Sequence, residues 1–467
     1  MGVASNLFYS TDTVKQTLHR RIVPTEEQQA LQQERWVDLM EYLSGDLGET
    51  TGYPISSWLQ GSYKFKTQIR PSKKGQEFDI DLGIYFEWSG NPEDGNYGPL
   101  ELKSLVQESL EKYKGETGEE VIDVVSPPKT RCSRICFTQD FHIDVPSYHI
   151  DSDRDARTLA TEEDVWEKSD PKALYEWFNN QYSDVVESSQ LRRLVRYFKM
   201  WVALHFEAEH RPTSILLTIL VVEALNSVNL AEVDGDDVAF GLCIEGIIER
   251  LSNDQSVLNP VDSSEEINRL DDAEFKDFQN GLNNLASIAE RALKADTEFE
   301  SATIWQEAFY QFFPFPIPEE SIQKTLSLVP VQFDPQVTVT VVSRDNHNYT
   351  RTENNKIGPI PKNCTLTFNI NNVAQLPAGA KVQWIARNEG EEAEYENDLG
   401  HLVADESTKI TDSTAYKGTH FMDVVIKSAY GEILGFRRIP VEVTGVAMPP
   451  RNPKKKPGWI RFRNKRK

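Results

Sequence analysis

Cysteine is scarce in this 467-residue sequence, which has only Cys132, Cys136, Cys243 and Cys364. Four scattered thiols cannot form the disulfide framework of a secreted protein, so a reducing cytoplasm is the expected setting. Long apolar runs are also missing. The longest, Ile215 to Leu225, is about half of the roughly 20 residues that span a bilayer, and no membrane insertion is expected. The opening MGVASN lacks an apolar signal core and puts Asn6 where an acylation signal wants Ser or Thr, so neither export nor lipid anchoring is expected. Positive charge is short as well: 50 Lys+Arg against 73 Asp+Glu give −23. A body that wraps long nucleic acid by charge alone is thereby disfavoured. The bases that are present are unevenly placed. Residues 451–467 hold nine of them and no acid, leaving residues 1–450 at −32.

The apolar content, 39% hydrophobic and 10% aromatic, suffices for at least one large core, and the length suggests two to four domains. Residues 12–44 read as helices, with Thr25 before Glu26 and Glu27 as a start and Leu31, Trp36, Leu39 and Leu43 as the apolar face. From about 55 to 150 short period-two runs between Gly, Pro and Lys predict strands. Helix returns over 188–325, with one stripe through Leu191, Leu194, Val195, Phe198 and Val202 and another through Phe275, Phe278, Leu282, Leu285 and Ile288. Prolines at 314–318 and 330–335 mark a boundary. Beyond it, alternation in Val337/Val339/Val341, Leu366/Phe368/Ile370 and Val382/Trp384 predicts a small β-rich domain over 335–446. The fold class is α+β.

The most informative segment is GSYKFKTQIRPSKKGQEFDIDLGIYF, residues 61–86. Strand alternation projects Asp79 and Asp81 to one face while Phe78 and Ile80 point to the core. Two adjacent carboxylates repel unless a cation lies between them, and Mg²⁺, which binds oxygen ligands and shares them with phosphates, suits the pair. FHIDVPSYHI supplies Asp144 and His142 on one face in the same way. Asp79, Asp81 and Asp144 on adjacent strands could hold two ions, with Mn²⁺ as the alternative to Mg²⁺, the arrangement used to transfer a nucleotidyl group with loss of pyrophosphate. A phosphate cradle is offered by Gly61 and Ser62, at a turn from the strand Ile55 to Leu59 into a short helix, with Lys64 and Lys66 nearby. Arg192, Arg196 and Lys199 form a cationic stripe at i, i+4 and i+7 along which a triphosphate could lie. Thr213 and Ser214 open the next helix, where hydroxyls cap it or bind phosphate. Each piece alone has a plainer meaning: a surface acid pair, a helix cap, a solvated face, satisfied structural histidines at 142 and 149, and core thiols at 132 and 136. Their order along one chain is what argues for chemistry.

That order resembles the DNA polymerase β-like nucleotidyltransferases, specifically the bacterial cGAS/DncV-like branch, over roughly residues 20–325. It is carried by LQGSYKFKT, QEFDIDLGIYF, FHIDVPSY, LRRLVRYFKMW and PTSILLTIL. The resemblance implies Asp79, Asp81 and Asp144 as catalytic Mg²⁺ ligands, and Gly61, Ser62, Lys199 and Ser214, with Arg196 beside them, as the triphosphate site. It implies a nucleotidyltransferase core with N-terminal helices over 1–185, a helical lobe over 186–330, and a disordered basic tail over 447–467. The region 335–446 is similar to the adenylyl/guanylyl and SMODS C-terminal sensor domain through Trp384, Asn388, Gly390, Ala393, Gly400, Tyr416, Gly418 and His420, although DLGHL lacks the usual Arg before the loop glycine. The implied activity is condensation of nucleoside triphosphates into a cyclic oligonucleotide messenger for a separately encoded effector in bacterial antiphage defence. Two other activities fit the same residues: extension of linear DNA or RNA, with Trp459 and Phe462 in the basic tail touching nucleic acid, and a silent nucleotide sensor. Base choice is expected around Asn259 and Pro260.

Overall fold

The computed structural model describes residues 2–117, 120–138, 141–314, 332–429 and 431–447. The chain divides into two compact units, Met1–Phe315 and Pro316–Lys467.

The first unit opens with two short helices, α1 (Ser5–Phe8) and α2 (Leu18–Ile22), and the long α3 (Glu26–Thr51). Thr25 caps α3 as expected, its hydroxyl accepting from the Gln28 N–H while Gln28 reaches back to the Thr25 N–H. There follow β1 (Ile55–Gln60), α4 (Gly61–Lys64) and β2 (Phe78–Glu87). The expectation of strands throughout 55–150 fails at α5 (Pro99–Thr117). Leu102, Val106, Leu110 and Tyr113 recur at helical spacing and are all buried, a stripe thin enough among charged neighbours to be overlooked. After it come β3 (Val121–Val124), β4 (Ser133–Phe137), β5 (Phe141–Val145), β6 (Ser147–Asp151), β7 (Ala156–Ala160) and β8 (Trp166–Lys168). These strands form one eight-stranded sheet in the order β3-β4-β5-β2-β6-β7-β8, with β1 also on β2.

The register positions the chemistry. β2 and β5 run parallel, with Asp79 beside His142 and Asp81 beside Asp144, and Gln60 at the end of β1 pairs with Asp81. Phe78, Ile80, Phe141 and Ile143 point to the other face, where Leu39, Leu43 and Leu47 of α3 and Leu102, Val106 and Leu110 of α5 bury them. Helices therefore cover one face of the sheet, and the carboxylates are left on the opposite one.

The helices that follow are α6 (Pro171–Asn179), α7 (Val185–His205), α8 (Ser214–Leu225) and α9 (Asp236–Asn253). A small hairpin, β9 (Leu258–Asn259) with β10 (Asp262–Glu266), then interrupts the helical run before α10 (Asp272–Leu293) and α11 (Glu298–Phe309). Both expected apolar stripes, on α7 and α10, are buried. The proline-marked boundary around 314–318 and the segment to 330 lie almost wholly outside the described residues, as does the basic tail from 448 onward.

The second unit is β-rich. One sheet orders β12 (Thr350–Asn354), β11 (Val337–Ser343), β14 (Cys364–Ile370) and β17 (Lys409–Ser413). The other orders β13 (Ile357–Lys362), β19 (Ile433–Ala447), β18 (Gly418–Lys427), β15 (Lys381–Arg387) and β16 (Gly400–Asp405). A short helix, α12 (Glu391–Tyr395), follows β15. The alternating valines, Phe368 and Trp384 fill one shared core, and the Trp384 indole donates to the Ser407 carbonyl at 2.7 Å. Trp384 is thus a core residue. Asp423 is completely buried and takes Arg387 at 2.7 Å and Arg438 at 2.6 Å. Burial pushes its carboxyl up, yet Arg438 and Arg387 together hold it below the usual carboxylate range. Removing Arg387 leaves Arg438 alone to neutralise the buried carboxylate and costs it one charge-assisted hydrogen bond. Arg387→Leu is expected to destabilise this unit by about 1–3 kcal/mol, read as faster hydrogen exchange across β15, β18 and β19 with the first unit unchanged.

Candidate active site

A cleft of about 590 Å³ in the first unit collects Gly61, Ser62, Asp79, Asp81, Lys199 and Ser214 among its lining residues. Gly61 follows β1 and opens α4 with φ +56°, the left-handed region, and a Cβ there would collide with the Asp81 carboxylate. Only glycine lets the turn pass this close to the acid. Lys199 comes from α7, its ammonium donating to the Thr67 carbonyl at 3.2 Å. Ser214 is the first residue of α8, and Thr213 before it takes the capping role, accepting from the Leu216 N–H. Capping by Thr213 leaves Ser214 to face the cleft.

Asp144 stands next to this group. It is forked by Arg134, at 2.5 and 2.8 Å, and approached by Lys129 at 3.2 Å. Burial pushes its carboxyl up, and Arg134 followed by Lys129 brings it below the ordinary value. Among the described residues Asp81 has no such partner, and burial together with the charges of Asp79 and Asp144 pushes its carboxyl up to about 8. Burial and Arg196 lower Lys199 to about 7, against the pull of Asp79 and Asp81. Arg134 and Lys129 both pair with Asp144, so the cations beside the acids are unequally shared. Asp79, His142 and Asp144 each offer a ligand atom within 4.8 Å of the others. The donor set of carboxylate oxygens, with one buried ring nitrogen lacking a hydrogen bond, fits a divalent cation.

Other expected residues are placed elsewhere. Arg196 does not line the cleft: it is largely buried, donating to the Gln68 carbonyl at 3.3 Å and lying 3.1 Å from the His19 ring. Arg192 bonds to the Phe65 carbonyl and Asn179. α7 is wedged into the unit, so Arg192 and Arg196 satisfy backbone and side-chain acceptors, and neither belongs to a solvated face or a phosphate rail. Lys64 stacks 4.0 Å over the Trp58 ring, and Lys66 is exposed and not among the lining residues. Cys132 and Cys136 are half-buried, not core. His149 is satisfied by the Trp88 carbonyl at 3.1 Å and Thr158 at 3.3 Å. Asn259 does reach the cleft, on the β9–β10 hairpin, beside Asp262, Glu265 and Arg269. Asp262 ties that hairpin to Lys168 at 2.8 Å. Arg134 and Lys129 belong to none of the expected motifs. For Arg134 the available signal was its alternate position in SRICF, opposite Asp144 on the neighbouring strand.

In the second unit Asn388, Tyr416 and His420 line a cavity of about 90 Å³ with Asp398, His401 and Asp412. Tyr416 donates to Asp398 at 2.8 Å, and Asn388 does so at 3.1 Å. Nucleotide-sized ligands take pockets of roughly 300–1,000 Å³, so this cavity as it stands is too small for one.

The raised Asp81 carboxyl has a consequence for the metal-free chain. A folded-state value above the unfolded one means that stability is present below the unfolded value and declines as pH rises towards about 8. In chelator, wild type is expected to lose thermal stability between pH 5 and 8 relative to Asp81→Asn, measured by differential scanning fluorimetry at matched ionic strength.

Known proteins resemble this chain in sequence and in fold. Residues 56–148 match the family described as cyclic GMP-AMP synthase DncV-like, nucleotidyltransferase domain. Residues 318–444 match the adenylyl/guanylyl and SMODS C-terminal sensor domain. A cyclic GMP-AMP synthase of Escherichia albertii is 29% identical over 442 residues, covering 94% of this chain and 96% of that protein. A c-di-GMP synthase of Roseivirga ehrenbergii is 25% identical, covering 64% of this chain and 86% of its own length. Among solved structures, the Vibrio cholerae DncV cyclic AMP-GMP synthase in complex with a linear intermediate superposes with a TM-score of 0.55 at 22% identity, over 67% of this chain and 97% of that one. At that identity the superposition speaks for the fold. Among the described residues no helix is long and apolar enough to cross a membrane. The chain is therefore similar to the cGAS/DncV-like nucleotidyltransferases over residues 56–148 and to the adenylyl/guanylyl and SMODS C-terminal sensor domain over residues 318–444.

Proposed function

We propose that this enzyme condenses nucleoside triphosphates into a cyclic oligonucleotide with release of pyrophosphate, using Mg²⁺ or Mn²⁺, and that the product signals to a separately encoded effector in the cytoplasm during antiphage defence. The observation that carries the chemistry is the convergence of Asp79 and Asp81 with Gly61, Ser62, Lys199 and Ser214 in one cleft, beside Asp144. The cyclic product is supported by the cyclic dinucleotide synthases to which the chain is similar. In this reading residues 1–185 supply the carboxylates and residues 186–330 the helices that close over the triphosphate.

Asp79, Asp81 and Asp144 would hold the divalent ions, which supply charge neutralisation at the phosphates and acidify the attacking hydroxyl. The triphosphate lies against the Gly61–Ser62 turn, with the Ser62 and Ser214 hydroxyls donating to its oxygens. Lys199, lowered to about 7 and so only partly charged near neutral pH when alone, becomes fully charged beside a polyanion. Asp144, kept ionised by Arg134 and Lys129, accepts the proton of the incoming 3′-hydroxyl. That oxygen bonds to the α-phosphorus as the bond to the bridging β-oxygen breaks, and pyrophosphate leaves. Repeating the step within the linear product closes the ring.

Incubation with the four triphosphates and Mg²⁺ or Mn²⁺, read by pyrophosphate release and mass spectrometry, is expected to give a product resistant to phosphatase and exonuclease. A ladder of lengths would instead mean linear extension, and no pyrophosphate under any condition a silent sensor. Asp79→Asn with Asp81→Asn should remove activity by on the order of 1,000-fold or more, since both ion-holding groups go, while circular dichroism stays unchanged. Lys199→Met should raise the KM for triphosphate by about tenfold or more through loss of one charged contact, with a smaller effect on kcat.

A further inference from the structure

His142 is 7% exposed and sits two residues before Asp144, beside Asp79 across the β2–β5 pairing. Its two ring nitrogens are unlike. Nδ1 lies 2.6 Å from Glu77 Oε2, and because a carboxylate only accepts, the Nδ1 proton is donated there. Nε2 lies 2.9 Å from Asp79 Oδ1 yet is buried with no hydrogen-bond partner, because the ring is not aligned on that oxygen. An N–H drawn to Asp79 would point at it. A lone pair aimed past it is what two neighbouring ligands of one ion present. Ligands about 2.1 Å from a shared octahedral ion stand about 3 Å apart at adjacent corners, close to the spacing seen, and the Asp144 carboxylate completes a set spanning 4.8 Å. Arg134 forks Asp144 through both oxygens and Lys129 adds a second donor on Oδ2, leaving a lone pair on Oδ1. A ring N–H given to a carboxylate while the other nitrogen faces a metal is the usual way in which a metal-binding histidine is held.

We infer that His142 Nε2 is a direct nitrogen ligand to a divalent cation shared with Asp79 and Asp144, with Glu77 fixing the ring. This deepens the proposed function and rests on its reading of the aspartates as cation ligands. Imidazole suits transition metals better than Mg²⁺, which prefers oxygen. The site should therefore favour Mn²⁺, where an all-carboxylate site would discriminate less.

The test uses the full chain with Mn²⁺ alone and no nucleotide. Pulsed electron paramagnetic resonance of the Mn²⁺-loaded protein is expected to show coupling to a directly bonded nitrogen, and the coupling should change when histidine carries ¹⁵N. His142→Gln should lose it and weaken Mn²⁺ binding by about tenfold or more, while Mg²⁺ binding, read by competition, falls less. Glu77→Gln, which keeps the ring in place, should retain the nitrogen coupling with weaker binding. Mn²⁺ bound without nitrogen coupling, or with coupling that survives His142→Gln, overturns the nitrogen ligand and leaves the carboxylate site standing. No Mn²⁺ bound by wild type overturns both readings.

Discussion

Mutual repulsion of Asp79, Asp81 and Asp144 is the constraint around which the catalytic unit is arranged. Parallel pairing of β2 and β5 fixes Asp81 beside Asp144, and burial of the alternate residues under α3 and α5 prevents either strand from slipping. A one-residue slip would drive the acids into the hydrophobic core. The repulsion is relieved unequally: Asp144 has Arg134 and Lys129, whereas Asp81 has no ion-pair partner among the described residues and is pushed towards its protonated form. A site so arranged is stable when protonated or when filled by a cation, which couples metal uptake to proton release.

Around this centre, backbone and side chains divide the work. Gly61 has no side chain because the Asp81 carboxylate occupies the space, and that close approach is what sets the serine turn against the acids. α7 acts as a beam through the unit. Arg192 and Arg196 fasten it to the segment after β1 by bonding the carbonyls of Phe65 and Gln68, so that Lys199, one turn further, reaches the cleft. Losing either arginine would displace the lysine without touching substrate.

The second unit follows a different economy. Its core is a pair of sheets closed over valines, Phe368 and Trp384, and its residual polarity is concentrated in two places. One is the buried Asp423 with its two arginines. The other is the small cavity where Asp398 gathers Asn388 and Tyr416, and where the His420 ring accepts from the Glu389 N–H and reaches the Tyr416 carbonyl. Asn388, Tyr416 and His420 serve here to build the wall of that cavity, and Trp384 serves the core.

Much of the site was legible because alternation in FDIDLGIYF and FHIDV is strict: apolar residues at every second position leave the acids no other face. The Gly-Ser turn and the Thr25 cap were legible for the same reason, since local backbone geometry dictates them. α5 was not, because a helix that buries one thin stripe shows little apolar signal among its charges. Nor could spacing alone tell Lys199, which enters the cleft, from Arg196, which is spent on a carbonyl, because both lie on one stripe and only the packing of α7 against the 65–68 segment separates them. The fork of Arg134 on Asp144 and the ring of His142 between Glu77 and Asp79 depend on which strands become neighbours. Sequence determined the residue types and the face each presents; the tertiary structure decided which faces meet, since strand order is settled by the burial of the whole sheet and not by any one strand.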